Sequence, residues 1–147
     1  MKFSIITATL NSQGTINKTL DSIVSQNFDD YEVIFVDGHS TDKTINLINN
    51  SNIKNKTIIN QNGKGVYDAF NEGIKCANGE IILILSSDDY FKEVNSLFEI
   101  NNLFVKYSNI PLFISNVEMI NKNDNIIRNY KSNNFKKFMF YFGHMPP

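Results

Sequence analysis

At 147 residues the chain is long enough for one domain with a single core, and it can bury about two-thirds of the surface that its unfolded form exposes. Hydrophobic residues at 41% and charged residues at 20% exclude disordered and fibrous classes, and 14 basic against 15 acidic residues exclude nucleic-acid binding by a whole-chain positive field. An anionic ligand therefore requires a local site. The single cysteine, Cys76, cannot form a disulfide within the chain, and it reads as core packing in an intracellular, cytoplasmic protein.

The apolar run at Phe3 to Ile6 is too short for a signal peptide, and no run approaches the roughly 20 residues of a membrane-spanning helix. Phe3 to Ile6 reads instead as a strand, with Thr7 to Gly14 as a polar loop. Ile16, Leu20, Ile23 and Val24 then form one helical stripe, predicting a helix that ends near Asn27. Val33 to Val36 predicts a second strand, and Asp37 to Asp42 supplies turn formers and candidate N-caps for a helix carrying Ile45, Leu47 and Ile48.

Lys56 to Ile59 predicts a third strand, followed by Gln61-Asn62-Gly63-Lys64-Gly65 and a helix with Val66, Ala69, Phe70 and Ile74 on one side. Asn78-Gly79 suits a left-handed cap at its end. Ile81 to Leu85 is apolar without alternation, as in a strand covered on both faces, and is expected at the centre of the sheet. Strands alternating with helices predict an α/β fold with a mostly parallel sheet, helices on both faces and right-handed crossovers. Leu97, Ile100 and Phe104 suit a further helix, and Leu112 to Val117 and Ile126 to Tyr130 flank a probable antiparallel turn at 121–125. The tail places Lys136 and Lys137 among phenylalanines, which fits core packing or peripheral contact with the cytoplasmic face of an inner membrane.

Ligands of open α/β sheets bind beyond the carboxyl ends of the strands, where loops diverge and backbone N–H groups are free. Thr9 and Asn11, Asp37, and Asp88-Asp89 occupy three such ends. The adjacent carboxylates Asp88 and Asp89 repel unless a cation or donors offset them, and Mg2+ or Mn2+ with a diphosphate and water suits so small a ligand set. Capping of the next helix is the alternative for that pair. His39 reads as a loop residue, because no second histidine or cysteine stands at ligand spacing. Gly63-Lys64-Gly65 offers donors and a lysine to a phosphate, but it lacks the full phosphate-loop pattern, and Thr7 to Gly14 lacks the dinucleotide fingerprint.

Taken in order, Ser4 to Asn11, Thr19 to Ile23 with Ser25-Gln26, Val36 to Thr44, Gly65 to Gly73, and Leu85 to Asp89 resemble the inverting family 2 glycosyltransferases of the GT-A, Rossmann-like fold. The resemblance is strongest to bacterial members that build O-antigen and other surface polysaccharides. It implies transfer of a hexose from a UDP-sugar to a lipid-linked oligosaccharide, with Mn2+ or Mg2+ as cofactor. It also implies a donor site of Ala8, Thr9, Leu10, Asn11, Asp37, Gly65, Asp68, Asn71, Ser86, Ser87 and Asp88. Ala8, Thr9 and Leu10 would line the base pocket, Asp37 would contact the uracil or ribose, Asp68 and Asn71 would brace the donor side, and Asp88 would hold the metal.

Three positions depart from the pattern: Ser86 replaces an aspartate, Leu10 an aromatic residue and Gly38 a second acid. Family members also continue beyond the length of this chain, so residues 1–147 are expected to be one donor-binding domain of a longer enzyme, with 1–91 the donor half and 92–147 the start of the acceptor half. The catalytic base, which must lie within about 3 Å of the acceptor proton or one water away, is then expected after Pro147, with Asp89 and His144 as substitutes within the chain. A non-catalytic nucleotide-binding or association domain is the second reading, a sugar nucleotidyltransferase the third. A homo-oligomer is compatible with the sequence.

Overall fold

The computed structural model describes residues 1–109 and 111–131. They form two compact units, one spanning Met1–Leu103 and the other starting at Phe104.

In the first unit the strands are β1 (Phe3–Thr9), β2 (Tyr31–Asp37), β3 (Lys56–Asn60) and β4 (Ile81–Ile84). They pair in the order β3-β2-β1-β4, every pair parallel. The connecting helices are α1 (Ile16–Val24), α2 (Thr44–Asn50) and α3 (Val66–Cys76), and α4 (Ser96–Lys106) follows β4. The α/β class and the parallel, alternating order stand as the sequence predicts.

β1 and β2 are buried along nearly their whole length, as expected of inner strands whose apolar runs are covered on both faces. One face packs Ile6, Ile34 and Val36 against Ala69 of α3. On the other face Phe3, Ile5, Val33 and Phe35 are fully enclosed, as are Ile16 and Ile23 of α1 and Ile48 of α2.

Four expectations are corrected. β4 is an edge strand of the described sheet rather than its centre, and Ile82 and Ile84 are 37% and 48% exposed. An unbroken apolar run is compatible with a covered strand, but the pairing places it beside β1 alone. In α3 the buried face is Ala69 and Gly73, whereas Val66 and Ile74 are exposed. A Cβ on Gly73 would lie 2.4 Å from Ile6 Cγ2, so small residues let the helix approach closely and turn its larger apolar side chains outward.

Cys76, at the end of that helix, is exposed rather than packed in the core. Gly79 does not provide a left-handed cap: Gly65 is the glycine with positive φ among the described residues. Gly79 is required by proximity, because a Cβ there would lie 2.5 Å from Ser4 N and 2.6 Å from the Phe3 carbonyl carbon. A lesser difference is that α1 ends at Val24, short of Asn27.

In the second unit β5 (Val117–Ile120) and β6 (Ile126–Tyr130) pair antiparallel. Their turn is closed by Asn121, whose amide donates to the Asn125 carbonyl and whose Oδ1 accepts the Asn123 and Asn125 amides. The predicted hairpin is present, but its first strand is displaced: it begins at Val117, where the expected strand ended, and runs to Ile120. No described helix is long and apolar enough to cross a membrane. The lysine and phenylalanine tail and His144 lie outside the described residues.

Candidate functional site

The tips of β1 and β2 are joined through a buried carboxylate. Asp37, 2% exposed, accepts hydrogen bonds at Oδ1 from Thr9 Oγ1 (2.9 Å) and Ser40 Oγ (2.6 Å), and at Oδ2 from Ser40 N (2.7 Å). A carboxylate has about four lone-pair positions, so one further donor can be accommodated. The Asp-x-x-Ser spacing is the signal that finds Ser40, since an aspartate accepts the amide three residues on wherever the chain begins a turn.

The loops beyond these tips are bonded to each other. Asn11, at φ 50°, donates its amide to Ser40 Oγ (2.9 Å) and accepts Thr41 N at Oδ1 (2.9 Å). Ser12 N donates to Thr44 Oγ1 (2.7 Å), and Gln13 N donates to Asp42 Oδ2 (3.1 Å). Asp42 also accepts Thr44 N in the turn before α2, whereas the N-cap position itself is Lys43, which makes no side-chain cap bond. Asparagine tolerates the left-handed conformation better than most residues, which suits Asn11 to this sharp exit from β1.

The tip of β4 joins the same place. The hydroxyls of Ser12 and Ser87 lie 2.8 Å apart, so the β1 exit touches the Ser86 to Asp89 turn on one side and Asp37 on the other. The convergence of three strand ends predicted from the sequence is therefore present. Asp88 and Asp89 are both exposed there. Partial desolvation, then the charge of Asp88, pushes the Asp89 carboxyl above the usual range against hydrogen bonds from Ser86.

A hard cation would relieve that repulsion, and carboxylate, phosphate and water oxygens are the ligands that Mg2+ and Mn2+ prefer. Among the described residues no three His, Cys, Asp or Glu side chains group as a metal cage. A cation at Asp88 would thus draw most of its shell from a ligand's diphosphate and from water, and the donor set fits that arrangement.

The backbone that carries Asp88 and Asp89, with the segment that follows it, is held by a polar edge of α1 and by Gln26 just past the end of that helix. Thr19 Oγ1 donates to the Asp89 carbonyl (2.7 Å), and Ser22 Oγ accepts Phe91 N (3.2 Å). Gln26 accepts Leu97 N (3.0 Å) and donates to the Glu93 carbonyl (2.9 Å). All three side chains are buried. Polar residues flanking an apolar stripe normally read as a solvated face; here they grip a neighbouring segment.

The loop before α3 differs from its sequence reading. Asn62 N and Gly63 N donate to the Glu72 carboxylate, and Lys64 N donates to Asp68 Oδ2 (2.8 Å). The amides of Gly63 and Lys64, expected to face a phosphate, are therefore engaged by carboxylates of α3, and the Asn62 and Gly63 amides hold Glu72 below the usual glutamate range. Asp68 is committed to this loop, while Asn71 is exposed. Gly65, at φ 85°, precedes the helix in a conformation that favours glycine.

Leu10 is 59% exposed beside Gly38, and Ala8 is partly buried against the α3 face of the core. His39 is exposed and donates through Nε2 to the Gln61 carbonyl (3.0 Å), a structural loop contact. Ser40, Ser12, Gln61 and Glu72 are the site-building residues that sequence reasoning missed.

With this geometry in place, the chain can be set beside known proteins. The family model of glycosyl transferase family 2 matches residues 4–140. The chain is 41% identical over 98 residues to a PGL/p-HBAD biosynthesis glycosyltransferase of Mycobacterium bovis, covering 65% of this chain and 38% of the relative. It is 40% identical over 114 residues to the UDP-Glc:alpha-D-GlcNAc-diphosphoundecaprenol beta-1,3-glucosyltransferase WfaP of Escherichia coli, covering 72% and 45%. It thus spans less than half the length of these relatives. Among solved structures, S. aureus TarS 1-349 in complex with UDP-GlcNAc superposes with a TM-score of 0.67 at 26% identity, covering 84% of this chain and 42% of that one. A mannosyltransferase from Pyrobaculum calidifontis in complex with GDP-Man and Mn2+ superposes with a TM-score of 0.63 at 25% identity, covering 82% and 36%.

Proposed function

This chain belongs to glycosyl transferase family 2, and from that premise we propose that it is the donor-binding part of an inverting enzyme that moves a hexose from a UDP-sugar to a lipid-linked oligosaccharide in O-antigen or other surface-polysaccharide assembly. The observation that carries the reading is the meeting of the β1, β2 and β4 tips through Thr9–Asp37 and Ser12–Ser87. That meeting brings an exposed apolar residue, a buried carboxylate and an exposed acidic turn to one crevice. The UDP-sugar named in the E. coli relative and the UDP-GlcNAc bound in TarS support the donor class, and the diphosphoundecaprenol acceptor of that relative supports a lipid-linked acceptor.

In this reading residues 1–91 form the donor half. Leu10 and Ala8 border the base, and Asp37 uses its remaining acceptor position on the base or ribose while Thr9 and Ser40 orient it. Asp88 would hold Mn2+ or Mg2+ together with the donor diphosphate, and the Mn2+ in the mannosyltransferase complex supports that cofactor. When bound, the cation neutralises charge that develops on the departing nucleoside diphosphate. The chain's own contribution is positional: Thr19 and Ser22 hold the acidic turn and the residues just after it, Gln26 holds the segment that follows, and the bonded loops around Asn11 and Ser40 hold the nucleoside side, so little order must be acquired on binding.

Calorimetry of UDP with Mn2+ tests the reading. Binding is expected with the metal, and it should weaken at least about tenfold, roughly 1.4 kcal/mol, in Asp88→Ala. Absence of binding in the presence of Mn2+, or equal affinity in Asp88→Ala, rejects the proposal.

A further inference from the structure

Among the described residues, Gln61, which follows β3, is anchored at every point but one. Its amide donates to the Asp37 carbonyl (2.8 Å), and its own carbonyl accepts His39 Nε2 (3.0 Å). Its side-chain Nε2 donates to the Gly65 carbonyl (2.7 Å). A carbonyl oxygen can only accept, so the NH2 group must face Gly65, and this orientation sends Oε1 to the opposite side. The next two amides, those of Asn62 and Gly63, are held by Glu72, which pins the loop beside it.

What Oε1 faces is the space over Gly38. A Cβ on that glycine would lie 3.3 Å from Gln61 Oε1 and 3.5 Å from Cβ and Cδ1 of Leu10. A single methyl already fills that gap, so an apolar residue that is 59% exposed and a fixed acceptor stand next to each other at the end of β2. Apolar surface plus one oriented acceptor is the minimum needed to hold a flat ring and read one N–H on its edge.

We propose that Gln61 is a specificity-determining residue of the donor site, its Oε1 accepting the imide N–H of uracil. The assignment rests on the reading that a uridine diphosphate sugar occupies the crevice. Uracil carries a proton on N3, whereas cytosine has a bare acceptor at that position, which an amide oxygen repels. Selectivity comes from that difference as much as from the bond formed with the correct base.

The test is calorimetric titration of UDP and CDP with Mn2+ into the parent chain, Gln61→Met and Gly38→Ala, with thermal melts to confirm folding. The parent is expected to prefer UDP. Gln61→Met should lose up to about tenfold in UDP affinity and gain in CDP affinity, because the bond to uracil and the repulsion of cytosine are removed together without a change in size. Gly38→Ala, whose methyl crowds Oε1, should move the ratio in the same direction by less. A UDP-to-CDP ratio equal in the parent and in folded Gln61→Met overturns the assignment, and if that variant does not fold, an unchanged ratio in Gly38→Ala overturns it. UDP binding by the parent with no effect of either variant removes the role of Gln61 alone. A parent that binds neither nucleotide removes the donor-site reading with it.

Discussion

The two ends of the β1–β2 pair use the same chemistry for different purposes. At the amino end Ser4 stands opposite Glu32 in the register and donates to its carboxylate (2.6 Å); at the carboxyl end Thr9 stands opposite Asp37 and donates likewise (2.9 Å). Both acids are buried, at 7% and 2% exposure. Glu32 is closed off by the turn between α3 and β4, accepting Asn78 N (2.7 Å) and Asn78 Nδ2 (3.3 Å), while Gly79 N donates to Ser4 Oγ (2.8 Å). Asp37 instead lies beneath loops whose outer residues, Leu10, Asn11 and His39, are exposed.

A carboxylate paired to a hydroxyl is thus a staple or part of a site according to what lies beyond the strand end. At the carboxyl ends of parallel strands the loops diverge, and the proposed donor site would reach Asp37 there, although its carboxylate is no more open than that of Glu32.

The largest expected effect is at the sealed end. Gly79→Ala places a methyl against the backbone of β1, which cannot yield as a side-chain tip would, and should destabilise the fold by about 3 kcal/mol, the upper range for overpacking. Urea unfolding measures this. A loss below about 1 kcal/mol would mean that the turn is looser than the Ser4 to Gly79 contact implies.

An intermediate effect should separate the two acids. Glu32→Gln sets an amide NH2 among donors and should cost roughly 1–2 kcal/mol of stability, with UDP affinity unchanged. Asp37→Asn should reduce UDP affinity by more than its cost in stability explains. Equal losses of binding in the two variants would erase the distinction.

Glu32 also predicts a pH dependence. Burial pushes its carboxyl up, but hydrogen bonds from Ser4, Asn78 and Gly79 outweigh burial and hold it below the ordinary glutamate value of 4.5. The folded-state value is therefore depressed. Its stabilisation is full above the unfolded value and is lost as pH falls through the folded one. Acid titration of the unfolding free energy should be shallower in Glu32→Gln than in the parent.

The smallest effect lies between the two ends. Thr7 Oγ1 is fully buried without a hydrogen-bond partner among the described residues. Thr7→Val removes that unpaired hydroxyl at nearly constant volume, and is expected to leave stability unchanged or raise it by up to about 1 kcal/mol. A loss of stability in that variant would show that the hydroxyl is satisfied by water.

Much of the crevice was legible in the chain, because strand ends are marked by where apolar runs stop: Thr9, Asp37 and Asp88 each follow such a run. Contacts between loops were not legible, since a pairing such as Asn11 with Thr41 or Ser12 with Ser87 depends on how far apart the strands lie rather than on spacing along the sequence. The same holds for the amides of Gly63 and Lys64. Local glycine content offered them to a phosphate, and only the packing of α3 turned Glu72 and Asp68 onto them.

Period and composition alone settled the alternation of strands and helices, the parallel sheet and the acids at its tips, because each depends on residues close in the chain. Three-dimensional packing settled the edge position of β4, the small-residue face of α3, the exposure of Cys76 and the burial of Asp37. Those depend on which surfaces meet, and the closeness of α3 to β1 at Gly73 is a distance that no local pattern encodes.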